Sequence, residues 1–269
     1  MKQITVLLLI VIAITGCSNY QKALKSESKQ YQITVADSLY AAEKYGKAIS
    51  LYEKVVPQFR GTDSAAPAAL KYANALYYDG RYPESGYQFE TYRNSYVGDP
   101  NREYATFMIG KSLYEMAPIY SKDQEPTKRA MTKFQDYINL YPNGEYLDEA
   151  NALVDEMRYK LDKKAYEIAK NYHKRAPFSR GGFVSAITTF ENFIVDHPGS
   201  EFQDDAHFYL IDSQYNYAVN SFAVLIPERL ELAKEYYDTF AIRFPDSEYM
   251  AEANDLLMKI NEYNNLRTE

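Results

Sequence analysis

The chain has 269 residues, of which 46% are hydrophobic and 25% are charged, so its composition is that of a folded protein and excludes disordered or collagen-like structure. The net charge of −7 argues against nucleic-acid binding, which selects basic surfaces. With only 11 Gly and 11 Pro, tight turns are few, which disfavours an all-β sandwich or barrel, and no glycine-rich phosphate loop is present. The one Cys excludes an internal disulfide bond.

An apolar run follows Lys2 at the N-terminus and extends from residue 4 to residue 14. It is too short to cross a bilayer, which takes about 20 residues, and it has the length of a signal-peptide core. The run leads into the sequence ITGC, which ends at Cys17 and resembles the lipobox of bacterial lipoproteins. This resemblance implies cleavage before Cys17 and covalent attachment of a diacylglycerol and an N-acyl chain to that residue.

The residues after the lipobox indicate a membrane destination. The next residue is Ser18, whereas in lipoprotein sorting an Asp at this position resembles an inner-membrane retention signal, so we expect the outer membrane. No acidic cluster follows Cys17, which favours the periplasmic leaflet over the cell surface. We therefore expect a signal peptide over residues 1–16, a lipidated tether over residues 17–30, and a body that contacts the membrane through its lipid anchor only. No other cofactor and no metal are expected.

A block of six residues recurs three times in the C-terminal half, at residues 141–146, 197–202 and 244–249. Each copy contains a ring, Pro, any residue, a small residue, Glu and an aromatic residue, in that order. Pro ends a helix because it lacks a backbone N–H and clashes with the preceding turn. The block therefore predicts the end of one helix and the start of the next.

A second pattern recurs along the whole chain: a small residue followed four and seven positions later by larger apolar residues. The small anchors are Ala48, Ser85, Ala130, Ala186 and Ala233, at intervals of 37, 45, 56 and 47 residues. Four positions later lie Tyr52, Phe89, Phe134, Phe190 and Tyr237, and seven positions later lie Val55, Tyr92, Tyr137, Phe193 and Phe240. These positions share one helix face, where a small residue lets a neighbouring helix approach and the rings fill the groove.

This pattern is similar to the tetratricopeptide repeat, whose unit of about 34 residues is a pair of helices. We therefore expect an all-α fold, an α-solenoid of about five tetratricopeptide-like helix pairs with long connecting helices. In the first two copies a Tyr also precedes the anchor by three residues, at Tyr45 and Tyr82, and we assign both to the repeat pattern. The expected division is an N-terminal group of repeats 1–3 over residues 31–143 and a C-terminal group of repeats 4–5 over residues 144–269.

The intervals exceed 34 residues and therefore require insertions. We expect an inter-helix loop from Pro118 to Pro126 and one helix of about 30 residues after Gly144, because the chain has no further Gly or Pro for a long stretch. A third long helix is expected between Phe202 and Pro227.

A lipobox followed by about five irregular repeats is similar to the BamD (YfiO) family of outer-membrane assembly lipoproteins. The stretch YPNGEYLDEA resembles the end of the family's third repeat. Residues 161–202 resemble the fourth repeat, with a Tyr-Tyr-Lys-Arg-like element at residues 171–175. The segment RAPFSRGG departs from the family pattern, in which a short turn is expected.

The resemblance implies a non-catalytic scaffold of the outer-membrane β-barrel assembly complex. The implied partners are a BamA-like barrel subunit whose POTRA domain is held by the C-terminal repeats, other assembly lipoproteins, and unfolded β-barrel substrates engaged by the N-terminal repeats. Repeat arrays of this kind expose a concave face made by the first helix of each pair. In the first two repeats that face is expected to include the partner-binding residues Asp37, Tyr40, Asn74, Tyr77 and Tyr78. Helix packing alone also explains a Tyr at any one of these positions.

The sequence contains no motif typical of a catalytic site. The chain has three His, of which His197 occupies the ring position of the recurring block, so packing explains it. His207 follows two Asp but has no second His at metal-ligand spacing, and there is no GxSxG motif. The sequence predicts no catalysis.

Two other functions remain open from the sequence. Another envelope adaptor lipoprotein, for instance one that coordinates cell-wall or division machinery, would carry the same repeats. A glycan-binding lipoprotein of the SusD kind would also be helical, but it would have Trp-rich sugar platforms and about twice the length, and this chain has no Trp.

Overall fold

The computed structural model describes residues 19–265, and every regular element in that range is a helix. Residues 19–25 are helical and precede the labelled helices. These are α1 (Lys29–Ala41), α2 (Tyr45–Val55), α3 (Ala65–Tyr78), α4 (Tyr82–Ser95), α5 (Arg102–Tyr114), α6 (Glu125–Leu140), α7 (Leu147–Arg175), α8 (Gly182–Asp196), α9 (Gln203–Val219), α10 (Ile226–Arg243) and α11 (Met250–Asn265). Short 3₁₀ helices follow α2 at Val56–Phe59 and α7 at Ala176–Phe178.

Consecutive helices pack as pairs, α1 with α2, α3 with α4, and so on to α9 with α10, and α11 packs against α9 and α10. The expected fold class, an all-α solenoid of tetratricopeptide-like helix pairs, is confirmed. The chain divides into two compact units, Met1–Met157 and Arg158–Glu269, so the division falls inside α7. The expected signal peptide over residues 1–16 and the lipidated Cys17 lie outside the described residues. Among residues 19–265, no helix has the length and apolar character needed to cross a bilayer.

The predicted anchor pattern forms the core of each pair. The five small anchors are fully buried, as are the rings four positions later in the first four copies. Tyr237 in the fifth copy is only partly buried, and its hydroxyl donates a hydrogen bond to Asn254. The residues seven positions after each anchor are also buried. The second helix of every pair therefore supplies a repeated set of core side chains, which pack against buried side chains of the first helices.

The recurring Pro block ends the second helix of the last three pairs. Helices α6, α8 and α10 each stop two residues before the Pro of the block. A side chain from the first helix of the same pair then holds the turn. The three contacts are Glu103 Oε1 with the backbone N–H of Glu145 (2.6 Å), Asp162 Oδ1 with His197 Nδ1 (2.7 Å), and Asp204 Oδ1 with the Ser247 hydroxyl (2.7 Å). Through these hydrogen bonds, each carboxylate connects the first helix of a pair to the turn that follows the second helix of the same pair.

The insertions lie close to where the sequence predicts them. Helix α7 has 29 residues, in agreement with the expected long helix. The loop in the third pair covers residues 115–124, and Pro126 lies in the first turn of α6, where its missing N–H costs no hydrogen bond. The third long helix is shorter than predicted, because α9 ends at Val219.

We predict that Phe190→Ala lowers the free energy of unfolding by about 3–5 kcal/mol, because Phe190 is fully buried between α8, α7 and α9 and its removal leaves a cavity. Phe178→Ala is the matched control, because Phe178 is almost fully exposed and should change stability by less than about 0.5 kcal/mol. Urea-induced unfolding measures both values. Equal stability of the two variants would contradict the core assignment.

We also predict a pH-dependent loss of stability centred on His207 of α9. Burial, together with the positive charge of Arg243, lowers the pKa of His207 from 6.5 to about 4, and its Nε2 has no hydrogen-bond partner among the described residues. Between pH 6.5 and pH 4 this imidazole is protonated in the unfolded chain and neutral in the folded chain. The contribution of His207 to the free energy of unfolding is therefore fully present above pH 6.5, and it falls by about 3 kcal/mol as the pH is lowered to 4.

The control for this pH dependence is His207→Phe, which keeps the ring contact with Phe244 and removes the titrating group. Urea unfolding between pH 7 and pH 4 should show a shallower decline in the variant than in the wild-type chain. The same decline in both proteins would assign the acid sensitivity to other groups.

Candidate functional site

The five residues predicted to bind partners lie on the first helices of the first two pairs. Asp37 and Tyr40 belong to α1, and Asn74, Tyr77 and Tyr78 belong to α3. Spacings of three and four residues place each group on one side of its helix. The structure brings the three tyrosines together: the ring centroids of Tyr40 and Tyr78 are 6.4 Å apart, and those of Tyr77 and Tyr78 are 5.7 Å apart.

Two tyrosines that the sequence assigned to the repeat pattern complete this group. Tyr45, the first residue of α2, stacks on Tyr78 at 5.3 Å and makes an edge contact with Tyr40 at 5.6 Å. Tyr82, the first residue of α4, makes the corresponding edge contact with Tyr77 at 5.5 Å. The available signal was the recurrence of Tyr at the same position in EKYGKA and GRYPES.

Tyr104 of α5 extends the group to the third pair. Its hydroxyl donates a 2.6 Å hydrogen bond to Asn74 Oδ1. Burial raises the pKa of Tyr104, and the nearby phenols of Tyr78 and Tyr40 raise it further. We call these six side chains the tyrosine surface: Tyr40, Tyr45, Tyr77, Tyr78, Tyr82 and Tyr104.

The polar residues beside the tyrosine surface are occupied by internal contacts. Asp37 accepts a hydrogen bond from the Tyr52 hydroxyl at 2.7 Å and an ion-paired one from Lys71 Nζ at 2.8 Å. Asn74 is held by Tyr104, and the hydroxyl of Tyr77 donates to Glu115 Oε1 at 2.9 Å. Asp37 and Asn74 therefore position neighbouring side chains, and the exposed ring of Tyr78 is the part most open to a partner.

Burial holds two phenols of the tyrosine surface in the neutral form. Burial, with the neighbouring phenols of Tyr78 and Tyr45, raises the pKa of Tyr40 to about 12. Burial also raises the pKa of Tyr77, with a further contribution from its hydrogen bond to Glu115. The phenols of Tyr40 and Tyr77 therefore stay neutral at physiological pH, and a neutral phenol combines a hydrogen-bond donor with a flat aromatic ring.

The three histidines are explained by packing and hydrogen bonding in the C-terminal unit. His197 stacks on Phe193 at 5.0 Å and pairs with Asp162, so its predicted packing role is confirmed. His173 lies between Asp212 (3.2 Å) and the hydroxyl of Ser213 (2.9 Å). Ser213 is fully buried, so this hydroxyl is closed to a substrate. Across residues 19–265 there is no group of three or more side chains placed to hold a metal ion.

Comparison with curated proteins gives relatives along most of the chain. The chain is 23% identical over 254 residues to a protein of Caulobacter vibrioides, covering 93% of this chain and 78% of the relative. It is 20% identical over 223 residues to a protein of Neisseria meningitidis, covering 77% and 81%. It is 25% identical over 187 residues to a protein of Haemophilus influenzae, covering 65% and 71%. All three relatives are named outer membrane protein assembly factor BamD.

Among solved structures, the chain is similar to YrrB, described as a TPR protein with an unusual peptide-binding site. The two share 20% identity with a TM-score of 0.31, over 88% of this chain and 97% of that one. That TM-score is too low to bear on function.

A family model described as YfiO, outer membrane lipoprotein, matches residues 25–180. The match includes the whole tyrosine surface and covers more than half of the chain. The protein therefore belongs to the YfiO family of outer-membrane lipoproteins.

Proposed function

We propose that this chain is a non-catalytic scaffold for the assembly of β-barrel proteins into the outer membrane. The observation that carries the proposal is the family match over residues 25–180, together with relatives named as assembly factors that align with up to 93% of the chain. The helix-pair architecture supports a binding role, because such arrays present extended surfaces to partners.

The N-terminal unit is proposed to bind unfolded barrel substrates through the tyrosine surface. Five tyrosines of the first two pairs form a chain of ring contacts, in which Tyr78 is exposed. Tyr104 of the third pair is joined to them through its hydrogen bond to Asn74. A barrel strand in its unfolded state offers alternating apolar side chains and unpaired backbone carbonyls. Tyr rings cover the apolar side chains, while the phenol of the exposed Tyr78 donates a hydrogen bond to a carbonyl. The hydroxyls of Tyr77 and Tyr104 keep their internal hydrogen bonds.

The C-terminal unit is proposed to hold a POTRA-bearing barrel subunit, with other assembly lipoproteins as additional partners. This unit, Arg158–Glu269, is compact and has hydrophobic cores of its own. Two partners can therefore be engaged by different parts of the chain.

Attachment to the membrane is proposed to occur through Cys17, with a diacylglycerol and an N-acyl chain as its only covalent groups. The sequence ITGC at residues 14–17 and membership in a lipoprotein family support this attachment. Several acyl chains are needed for stable anchoring, because a single chain binds a bilayer only marginally.

We predict that Cys17→Ala moves the protein from the membrane fraction to the soluble fraction, because no acyl chain is then attached. Fractionation of cells followed by a high-salt wash measures the distribution. Retention of the variant in washed membranes at the wild-type level would contradict lipid anchoring at this residue.

We predict that Tyr45→Ser combined with Tyr78→Ser weakens capture of barrel substrates by on the order of tenfold, because the stacked pair and its ring contacts with Tyr40 and Tyr77 are lost from the surface. The POTRA-bearing subunit should be captured at the wild-type level, since the C-terminal unit is unchanged. The measurement is affinity capture from detergent-solubilised envelopes with quantitative mass spectrometry.

The matched control for this capture is Tyr87→Ser, because Tyr87 is an exposed tyrosine of α4 outside the tyrosine surface. It should leave substrate capture unchanged. Equal substrate yields from the double variant and the control would overturn the assignment of the surface. Absence of any POTRA-bearing protein from wild-type captures would overturn the scaffold proposal itself and favour another envelope adaptor.

A further inference from the structure

Two loops of the C-terminal unit carry apolar side chains that stand almost fully in water. In the loop between α7 and α8, residues 176–181, the exposed fraction of Phe178 is 90%. The loop between α9 and α10, residues 220–225, exposes Phe222 to 82% and Val224 to 83%. Exposed apolar side chains gathered in one place mark a contact site, whereas scattered ones need no explanation.

The two loops lie side by side. One groove is lined by Pro177 and Phe183 from the first loop and its following helix, and by Tyr217 and Asn220 from the end of α9. An adjoining groove shares Tyr217 and Asn220 and continues to Phe222. Residues 176–181 and 220–225 therefore form one continuous area, which we call the loop surface.

The loop surface is an addition to the basic helix-pair design. In the first two pairs the corresponding connections are three-residue turns, at residues 42–44 and 79–81. The longer loops are therefore not needed to reverse the chain, since three residues are enough in those pairs. The long loop of the third pair, which belongs to the N-terminal unit, also exposes an apolar residue, Ile119. Longer loops in this chain therefore come with exposed apolar tips.

The charge around the loop surface is opposite to that of the whole protein. Between Glu167 and Glu191 there is no acidic residue, while the exposed basic residues Lys174, Arg175 and Arg180 flank Phe178. Residues 213–227, which include the second loop, carry no charged side chain. In a chain of net charge −7, this local positive charge complements an anionic partner.

We propose that the loop surface docks on an anionic phospholipid bilayer, with Phe178, Phe222 and Val224 entering the boundary between headgroups and acyl chains. Lys174, Arg175 and Arg180 would then lie at the level of the lipid phosphates. Protruding apolar side chains beside basic ones form the pattern of proteins that lie on a membrane. Apolar anchors at protein interfaces instead sit in packed pockets inside a polar rim.

This docking would add a second membrane contact to the lipid anchor, where the sequence predicted the anchor alone. It does not depend on the scaffold function proposed above. Two contacts hold a protein on a bilayer far more firmly than either does alone, and they also fix which face of the C-terminal unit meets the membrane.

The absence of Trp from the chain permits a direct test. The test protein consists of residues 17–269 and carries Cys17→Ala, so that no acyl chain is present. Phe178→Trp or Phe222→Trp in this protein introduces a single Trp, whose emission is the reporter. Its emission should shift to shorter wavelength when vesicles of phosphatidylethanolamine and phosphatidylglycerol are added. Vesicles of phosphatidylcholine alone should produce a smaller shift, because the basic residues gain no anionic partner.

The matched reporter is Ile242→Trp in the same background, because Ile242 is 84% exposed and lies at the opposite end of α10 from the loop surface. Its emission should not change with either vesicle. An unchanged emission of the Phe178→Trp and Phe222→Trp proteins would overturn the proposal. A shift produced only by solubilised envelope proteins would also overturn it, since the surface would then bind a protein.

Vesicle co-flotation gives a second readout that does not depend on a reporter. Phe178→Ser and Phe222→Ser should each lower partitioning onto the anionic vesicles by on the order of tenfold. Val195→Ser and Ile242→Ser are the controls, because both residues are exposed at the far ends of α8 and α10. Circular dichroism checks that every variant is folded. Equal flotation of the Phe variants and the controls would contradict docking through the loop surface.

Discussion

Close approach of helices at a small buried residue is the constraint on which the rest of the structure depends. The second helix of each pair places Ala or Ser against its neighbours and fills the remaining space with side chains four and seven positions later. The second helices therefore supply the repeated part of each core, and the first helices add buried side chains such as Leu76, Phe107 and Ile211. Tyr40 and Tyr77 lie on a partly buried face of the first helices, and Tyr78 is exposed.

Carboxylates on the first helices provide the second level of organisation. Glu103, Asp162 and Asp204 each hold the turn that leaves their own pair, which links one repeat to the start of the next. Asp37 also lies on a first helix, and its bonds to Tyr52 and Lys71 join it to the second helix of its own pair and to the first helix of the next pair. Hydrogen bonds and ion pairs within the chain thus explain these charged residues without a ligand. For this reason the proposed contact with a partner is assigned to the aromatic rings and not to Asp37 or Asn74.

The sequence predicts the helix pairs well because the core depends on spacings of four and seven residues within one helix. It predicts less of the candidate site, because the contacts of Tyr45, Tyr82 and Tyr104 depend on how neighbouring pairs pack. The sequence also predicts too late an end for α9, because no Gly or Pro lies at Val219, where the helix stops. There the side chains of Asn220 and Ser221 bond to the carbonyls of Asn216 and Tyr217, in competition with the helix. The exposure of Phe178 and Phe222 has no local signal, because burial is decided by distant parts of the chain.

The tyrosine surface, the separate C-terminal unit and the lipoprotein family together support the proposed binding scaffold at the outer membrane. The most direct test of this proposal is to deplete the protein in its native cells and to measure the abundance of all outer-membrane β-barrel proteins. Quantitative mass spectrometry of isolated outer membranes gives these abundances. The account predicts that many unrelated barrels decline together while lipoproteins without barrels persist. Loss of a single transporter, or no loss of barrels at all, would contradict it.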